Sequence, residues 1–82
     1  MYELKMPQWG MNMTEGDIIK WLKREGERVE KNEPIVEIET AKAVDTFNSP
    51  VAGIVTKLLV QEGDTVPIQD VIALIRVQGP ER

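Results

Sequence analysis

Short apolar stretches alternate with turn signals at close spacing along this chain, the pattern of a small sandwich or barrel. Tyr2 to Met6 predicts a first strand that stops at Pro7, and Gln8 to Glu15 predicts an exposed loop with Gly10 and Asn12 as turn residues. Asp17 to Arg24 predicts the next strand, ended by Glu25-Gly26-Glu27. Strands follow over Ile35 to Glu39 and Val44 to Asn48, and Ser49-Pro50 then breaks the chain because proline cannot donate to a ladder. Gly53 to Val60 and Val71 to Val77 repeat the pattern, with Glu62-Gly63-Asp64 as the matching turn. Asp17 to Glu25, the longest stretch that could hold a helix, is short for one, and its counterpart is rich in Val and Leu.

The pattern is a duplication. Residues 16–40 laid over 53–77, an offset of 37, give 8 identities in 25 positions without a gap. Gly16 falls on Gly53, Lys20 on Lys57, Leu22 on Leu59, Glu25-Gly26 on Glu62-Gly63, Val29 on Val66, Ile35 on Ile72 and Ile38 on Ile75. Two equivalent halves imply an all-β fold: a flattened barrel or sandwich of two small antiparallel sheets with pseudo-twofold symmetry. Residues 1–78 form the expected domain, and 79–82 a frayed tail or the start of a linker. One half ends in a turn carrying Lys42, the other at the C-terminus, so the lysine hairpin is expected at one end of the molecule and the termini at the other.

Composition narrows the chemistry. The chain has 82 residues, close to the smallest size at which one core suffices, and no cysteine or histidine. The commonest general base and zinc ligand are therefore missing, and no metal site is expected. A net charge of −4 argues against nucleic acid, which calls for a basic stripe. No stretch has transmembrane length and the N-terminus lacks a targeting pattern, so a soluble cytoplasmic protein is the expectation, or one of the mitochondrial matrix if it is a processed eukaryotic domain.

Lys42, in Ile38-Glu39-Thr40-Ala41-Lys42-Ala43-Val44-Asp45, is the candidate functional residue. A turn lysine ordinarily serves solubility alone. A nucleophilic lysine needs a depressed pKa, whereas Glu39 and Asp45 nearby favour the charged form and no acid–base partner of the histidine type exists. An attachment point needs only an exposed amine with small neighbours, which Ala41 and Ala43 supply.

At these residues the chain resembles a lipoyl domain of a 2-oxo acid dehydrogenase acyltransferase (E2). The resemblance covers about Tyr2 to Val77. It rests on Met6-Pro7-Gln8-Trp9-Gly10-Met11-Asn12-Met13-Thr14-Glu15-Gly16, on Trp21 to Val29, on Ile38-Glu39-Thr40-Ala41-Lys42-Ala43 and on Ser49-Pro50-Val51-Ala52-Gly53. It implies a non-catalytic swinging arm, with lipoic acid in amide linkage to Lys42 and recognition by Glu39, Thr40, Ala41 and Ala43. A lipoate ligase or lipoyl transferase would load it, and E1 decarboxylase, the E2 catalytic domain and E3 dihydrolipoamide dehydrogenase would use it. The loop beside the lysine, with Gln8, Trp9, Met11, Asn12 and Met13, is the expected partner contact. Whether Trp9 and Met11 instead cap the core is open at this point. The family usually has Asp where this chain has Ala41. The alternatives are a biotinyl carrier domain of a carboxylase, in which methionines usually flank the lysine, a carrier like the H-protein of glycine cleavage, and a cofactor-free β-barrel interaction module.

Overall fold

The computed structural model describes residues 1–41 and 43–77; Lys42 and residues 78–82 lie outside the described residues. Among the described residues there are eight strands and no helix: β1 Tyr2–Lys5, β2 Glu15–Trp21, β3 Arg28–Val29, β4 Pro34–Glu39, β5 Val44–Asn48, β6 Gly53–Leu58, β7 Thr65–Pro67 and β8 Val71–Val77. They form two four-stranded antiparallel sheets, ordered β1-β8-β6-β3 (sheet A) and β5-β4-β2-β7 (sheet B). The expected all-β architecture is therefore a flattened sandwich rather than a closed barrel.

Sequence repetition becomes structural symmetry down to single hydrogen bonds. In sheet B, Asp17 faces Glu39 and Ile18 faces Ile38, and the register slips between Ile18 and Lys20. In sheet A, 37 residues on, Ile54 faces Arg76 and Val55 faces Ile75, with the slip between Val55 and Lys57. The two turns repeat as well. Gly26 and Gly63 have φ of 93° and 96°, a left-handed conformation that glycine adopts without a Cβ penalty. Asn32 and Gln69 follow at 71° and 76°.

Each turn also reaches across to the opposite half. The Trp21 N–H donates to Glu62 Oε2 at 3.0 Å, and the equivalent Leu58 N–H donates to Glu25 Oε2 at 2.9 Å. Trp21 and Leu58 end β2 and β6, beyond the stretches paired with the short strands β7 and β3, so a carboxylate from the other half serves each N–H that those neighbours do not reach. The short strands obey the same exchange: β3 pairs with β6, and β7 pairs with β2.

The core is built from equivalent pairs. Ile18 and Val55, Val29 and Val66, Ile35 and Ile72, Val36 and Ala73, and Ile38 and Ile75 are all buried, joined by Leu4 and Met6. Alternation along each strand sends most of these side chains between the sheets and the charged ones outward. It is broken at equivalent places in both halves, where Ile35-Val36 and Ile72-Ala73 are buried in succession beside register slips. Ser49, the one fully buried polar residue among those described, donates its hydroxyl to the Val51 carbonyl at 2.6 Å and so is satisfied.

Tyr2 on β1 faces Ile75 near the end of β8, whereas on sheet B the matching place is taken by Asp45 facing Ile38. The termini thus occupy on one sheet the position that the β4–β5 hairpin occupies on the other.

Candidate attachment site

Residues on either side of Lys42 are held by a closed hairpin. Glu39 of β4 pairs with Val44 of β5, and beyond that pair the Thr40 N–H donates to the Ala43 carbonyl at 2.8 Å. The Thr40 hydroxyl donates to the same oxygen at 3.2 Å. One carbonyl thus takes two bonds from one residue, which ties the hairpin just before its loop. Ala41 and Ala43 are exposed, as are Glu39, Val44 and Asp45. Lys42 itself lies outside the described residues.

The loop before β2 comes to lie against this hairpin. Trp9 to Asp17 line one groove together with Glu39, Thr40, Ala41, Ala43 and Asp45. Three features fix the loop there. The Met13 N–H donates to the Gly10 carbonyl at 3.1 Å, closing a turn. The Gln8 amide donates to the Met11 and Met13 carbonyls at 3.4 Å each, and the Trp9 N–H donates to Met13 Sδ at 3.3 Å. Gly16 then makes room beneath: a Cβ there would meet Ile38 Cγ2 at 2.8 Å, Met6 Sδ at 3.2 Å and Met13 Cε at 3.3 Å. Glycine at this position lets Met13 close over β2, which brings the loop to the hairpin.

The expected loop residues play different parts. Met11 is 96% exposed, and Met13 packs on the core. Trp9 is 43% exposed, with its ring edge-on to Phe47 of β5 at 6.3 Å and 82°. The tryptophan therefore anchors the loop to the hairpin strand while keeping part of its surface free. Sequence reasoning missed Phe47, although as the lone phenylalanine on the strand after Lys42 it was a natural partner for an aromatic in this loop.

The site's electrostatics are acidic. Glu15, Asp17, Glu39 and Asp45 rim the groove around Trp9, Met11 and Met13. Asp17 Oδ1 accepts from the Thr65 hydroxyl at 2.6 Å, and Asp45 Oδ1 from the Thr46 N–H at 2.8 Å. Four carboxylates thus stand beside the exposed Ala41 and Ala43.

A duplicated two-sheet sandwich with a tied lysine hairpin defines a presentation scaffold. The chain belongs to the Biotin_lipoyl family, described as "Biotin-requiring enzyme", which it matches over residues 2–75. It is 42% identical over 74 residues to the dihydrolipoyllysine-residue acetyltransferase component of the pyruvate dehydrogenase complex of Corynebacterium glutamicum, covering 90% of this chain and 11% of that protein. It is 44% identical over 75 residues to the dihydrolipoyllysine-residue succinyltransferase component of the 2-oxoglutarate dehydrogenase complex of Staphylococcus saprophyticus, covering 92% of this chain and 18% of that protein. The chain thus spans only a small part of the length of these relatives. Among solved structures it resembles the lipoyl domain of the 2-oxoglutarate dehydrogenase complex from Azotobacter vinelandii, with a TM-score of 0.78 and 29% identity over 96% of this chain and all of that one. Its domain type is the lipoyl domain of E2 components of 2-oxo acid dehydrogenase complexes.

Proposed function

We propose that the chain is a swinging-arm carrier whose Lys42 bears lipoic acid in amide linkage, moving acyl groups and electrons between E1, the E2 catalytic domain and E3. The observation that carries this reading is the tied hairpin. Thr40 and Ala43 clamp the base of the loop, and the exposed Ala41 and Ala43 leave an enzyme free approach. The bound cofactor would supply the redox and acyl chemistry, and the domain presents it to its partners. Tethering replaces affinity with local concentration, so weak partner contacts suffice. Glu39, exposed at the end of β4, and Ala41 are the neighbours a lipoate ligase or lipoyl transferase would meet. The loop with Gln8, Trp9, Met11, Asn12 and Met13 is the surface that E1 would meet. No catalytic role is assigned to the domain itself. The compartment that fits is the bacterial cytoplasm, or the mitochondrial matrix in a eukaryote.

The first test is intact mass after expression with lipoate, then with biotin, beside a Lys42→Arg control. A lipoyl-sized increase that the control lacks supports the reading. A biotin-sized increase would transfer the domain to the carboxylases. No increase with competent ligases would overturn the carrier role, with Ala41 then the residue to change to Asp.

A further inference from the structure

The duplication supplies an internal control that singles out a second surface, independent of the hairpin. Residues directly opposite each other in an antiparallel ladder share a face. On the outer face of sheet A, Ile54 stands between Arg76 and Arg28, and Leu74 stands between Lys57 and Glu3. On the outer face of sheet B the equivalent places read differently. Asp17 stands between Glu39 and Thr65, and Glu37 stands between Lys20 and Thr46. Ile54, Leu74, Asp17 and Glu37 are all half-buried.

Sheet B therefore demonstrates that this fold accepts a carboxylate at both central positions. The isoleucine and leucine of sheet A are thus not imposed by the backbone architecture, and they leave apolar surface partly open to water that the equivalent positions avoid. Around them stand three cations and one anion, in a chain whose net charge is −4. Arg28 is held by Glu30 at 2.7 Å, while Lys57 and Arg76 are exposed. An apolar centre with a basic rim is the arrangement of a protein-binding patch, and the complement of this one is acidic.

We propose that the outer face of sheet A docks an acidic polypeptide segment that places an aliphatic side chain over Ile54 and Leu74 and carboxylates against Lys57 and Arg76. The face belongs to the sheet that does not carry the Lys42 hairpin, so a segment held there leaves the hairpin open to other enzymes. This inference does not depend on what Lys42 carries.

The test is a titration of the isotope-labelled chain with a short synthetic peptide alternating glutamate and leucine, followed by amide shifts. A lysine–leucine peptide and a single-stranded oligonucleotide serve as controls. Saturable shifts at Ile54, Lys57, Leu74 and Arg76 from the acidic peptide alone, weakening with added salt, are expected. Ile54→Asp with Leu74→Glu installs the residues of sheet B and should keep the amide spectrum of a folded chain while binding the peptide about tenfold more weakly or worse. Lys57→Glu with Arg76→Glu tests the rim should that variant prove unstable, and it too should weaken binding. Equal shifts from both peptides, shifts centred on the hairpin, or preferential binding of the oligonucleotide would each overturn the proposal. So would shifts at this face that appear on concentrating the chain alone, which would assign it to a second copy.

Discussion

Replacing Glu62 with alanine removes a carboxylate that reaches from the second turn to the Trp21 N–H at 3.0 Å. A hydrogen bond to a charged group contributes about 1.5–3 kcal/mol net where it is shielded. Glu62 is exposed, and water can partly replace it, so a loss of about 1 kcal/mol is the working value. For a domain of 82 residues that corresponds to a fall in Tm of about 4–8 °C. The symmetry makes the prediction sharper than one variant could. Glu25→Ala strips the equivalent bond to the Leu58 N–H and should cost about as much. The two bonds share no partner, so the double variant should lose about 2 kcal/mol. Thermal unfolding followed by far-ultraviolet circular dichroism reads all three. An unchanged Tm in either single variant, or a double variant no worse than one single, would refute the view that each turn braces the other half.

Two further perturbations probe the site and the charge pattern. Trp9→Ala removes an edge-to-face contact with Phe47 that is worth about 0.5–1.5 kcal/mol. Because the ring is also partly exposed, reductive acylation by E1 should fall more than Tm does; intact acylation with a large loss of Tm would reverse the assignment. Lys23 and Glu33 form an ion pair at 2.8 Å, and the lysine's hydrogen bond is the main cause that holds the Glu33 carboxyl below the usual glutamate range. The same bond raises Lys23. Glu33's contribution is therefore fully present above the ordinary glutamate pKa and is lost as pH falls through the lowered value, while Lys23's is lost only as pH rises through its raised one. Lys23→Met should flatten the acid limb of a stability-against-pH curve, by a small amount because both groups are solvent-screened; an unaltered limb would show that the pair contributes nothing to it.

Much of the fold could be read from the offset of 37, because the repeated residues are those whose environments the fold dictates. Gly26 and Gly63 repeat where φ is positive, and Ile38 and Ile75 where the side chain is wholly buried. The β3 and β7 strands were not legible. At two and three residues they are too short for any periodicity, and Arg28 and Pro67 look like turn residues. Their pairing is a tertiary fact, set by Val29 and Val66 reaching the core. Predicted strand ends also ran long: β2 stops at Trp21 rather than Arg24, and β6 at Leu58 rather than Val60, and at each of these last residues the N–H is taken by a carboxylate of the opposite half. At the site, the hairpin was visible as small residues around a lysine. The seating of the loop was not, because it depends on Gly16 admitting Met13 and on Trp9 finding Phe47, contacts between segments far apart in sequence.

The pairing of β3 with β6 and of β7 with β2 has a consequence for how such a fold can arise. Each half lends its shortest strand, and the glutamate beside it, to the other. A chain of only one half would carry an open sheet edge and an unserved strand end, both of which a second identical chain could fill. The single unit is complete only as a strand-exchanged homodimer, and joining two such units in tandem turns an association that depends on concentration into an intramolecular one. In such a fusion the two copies need not stay identical, which leaves one free to carry the lysine hairpin and the other the chain ends.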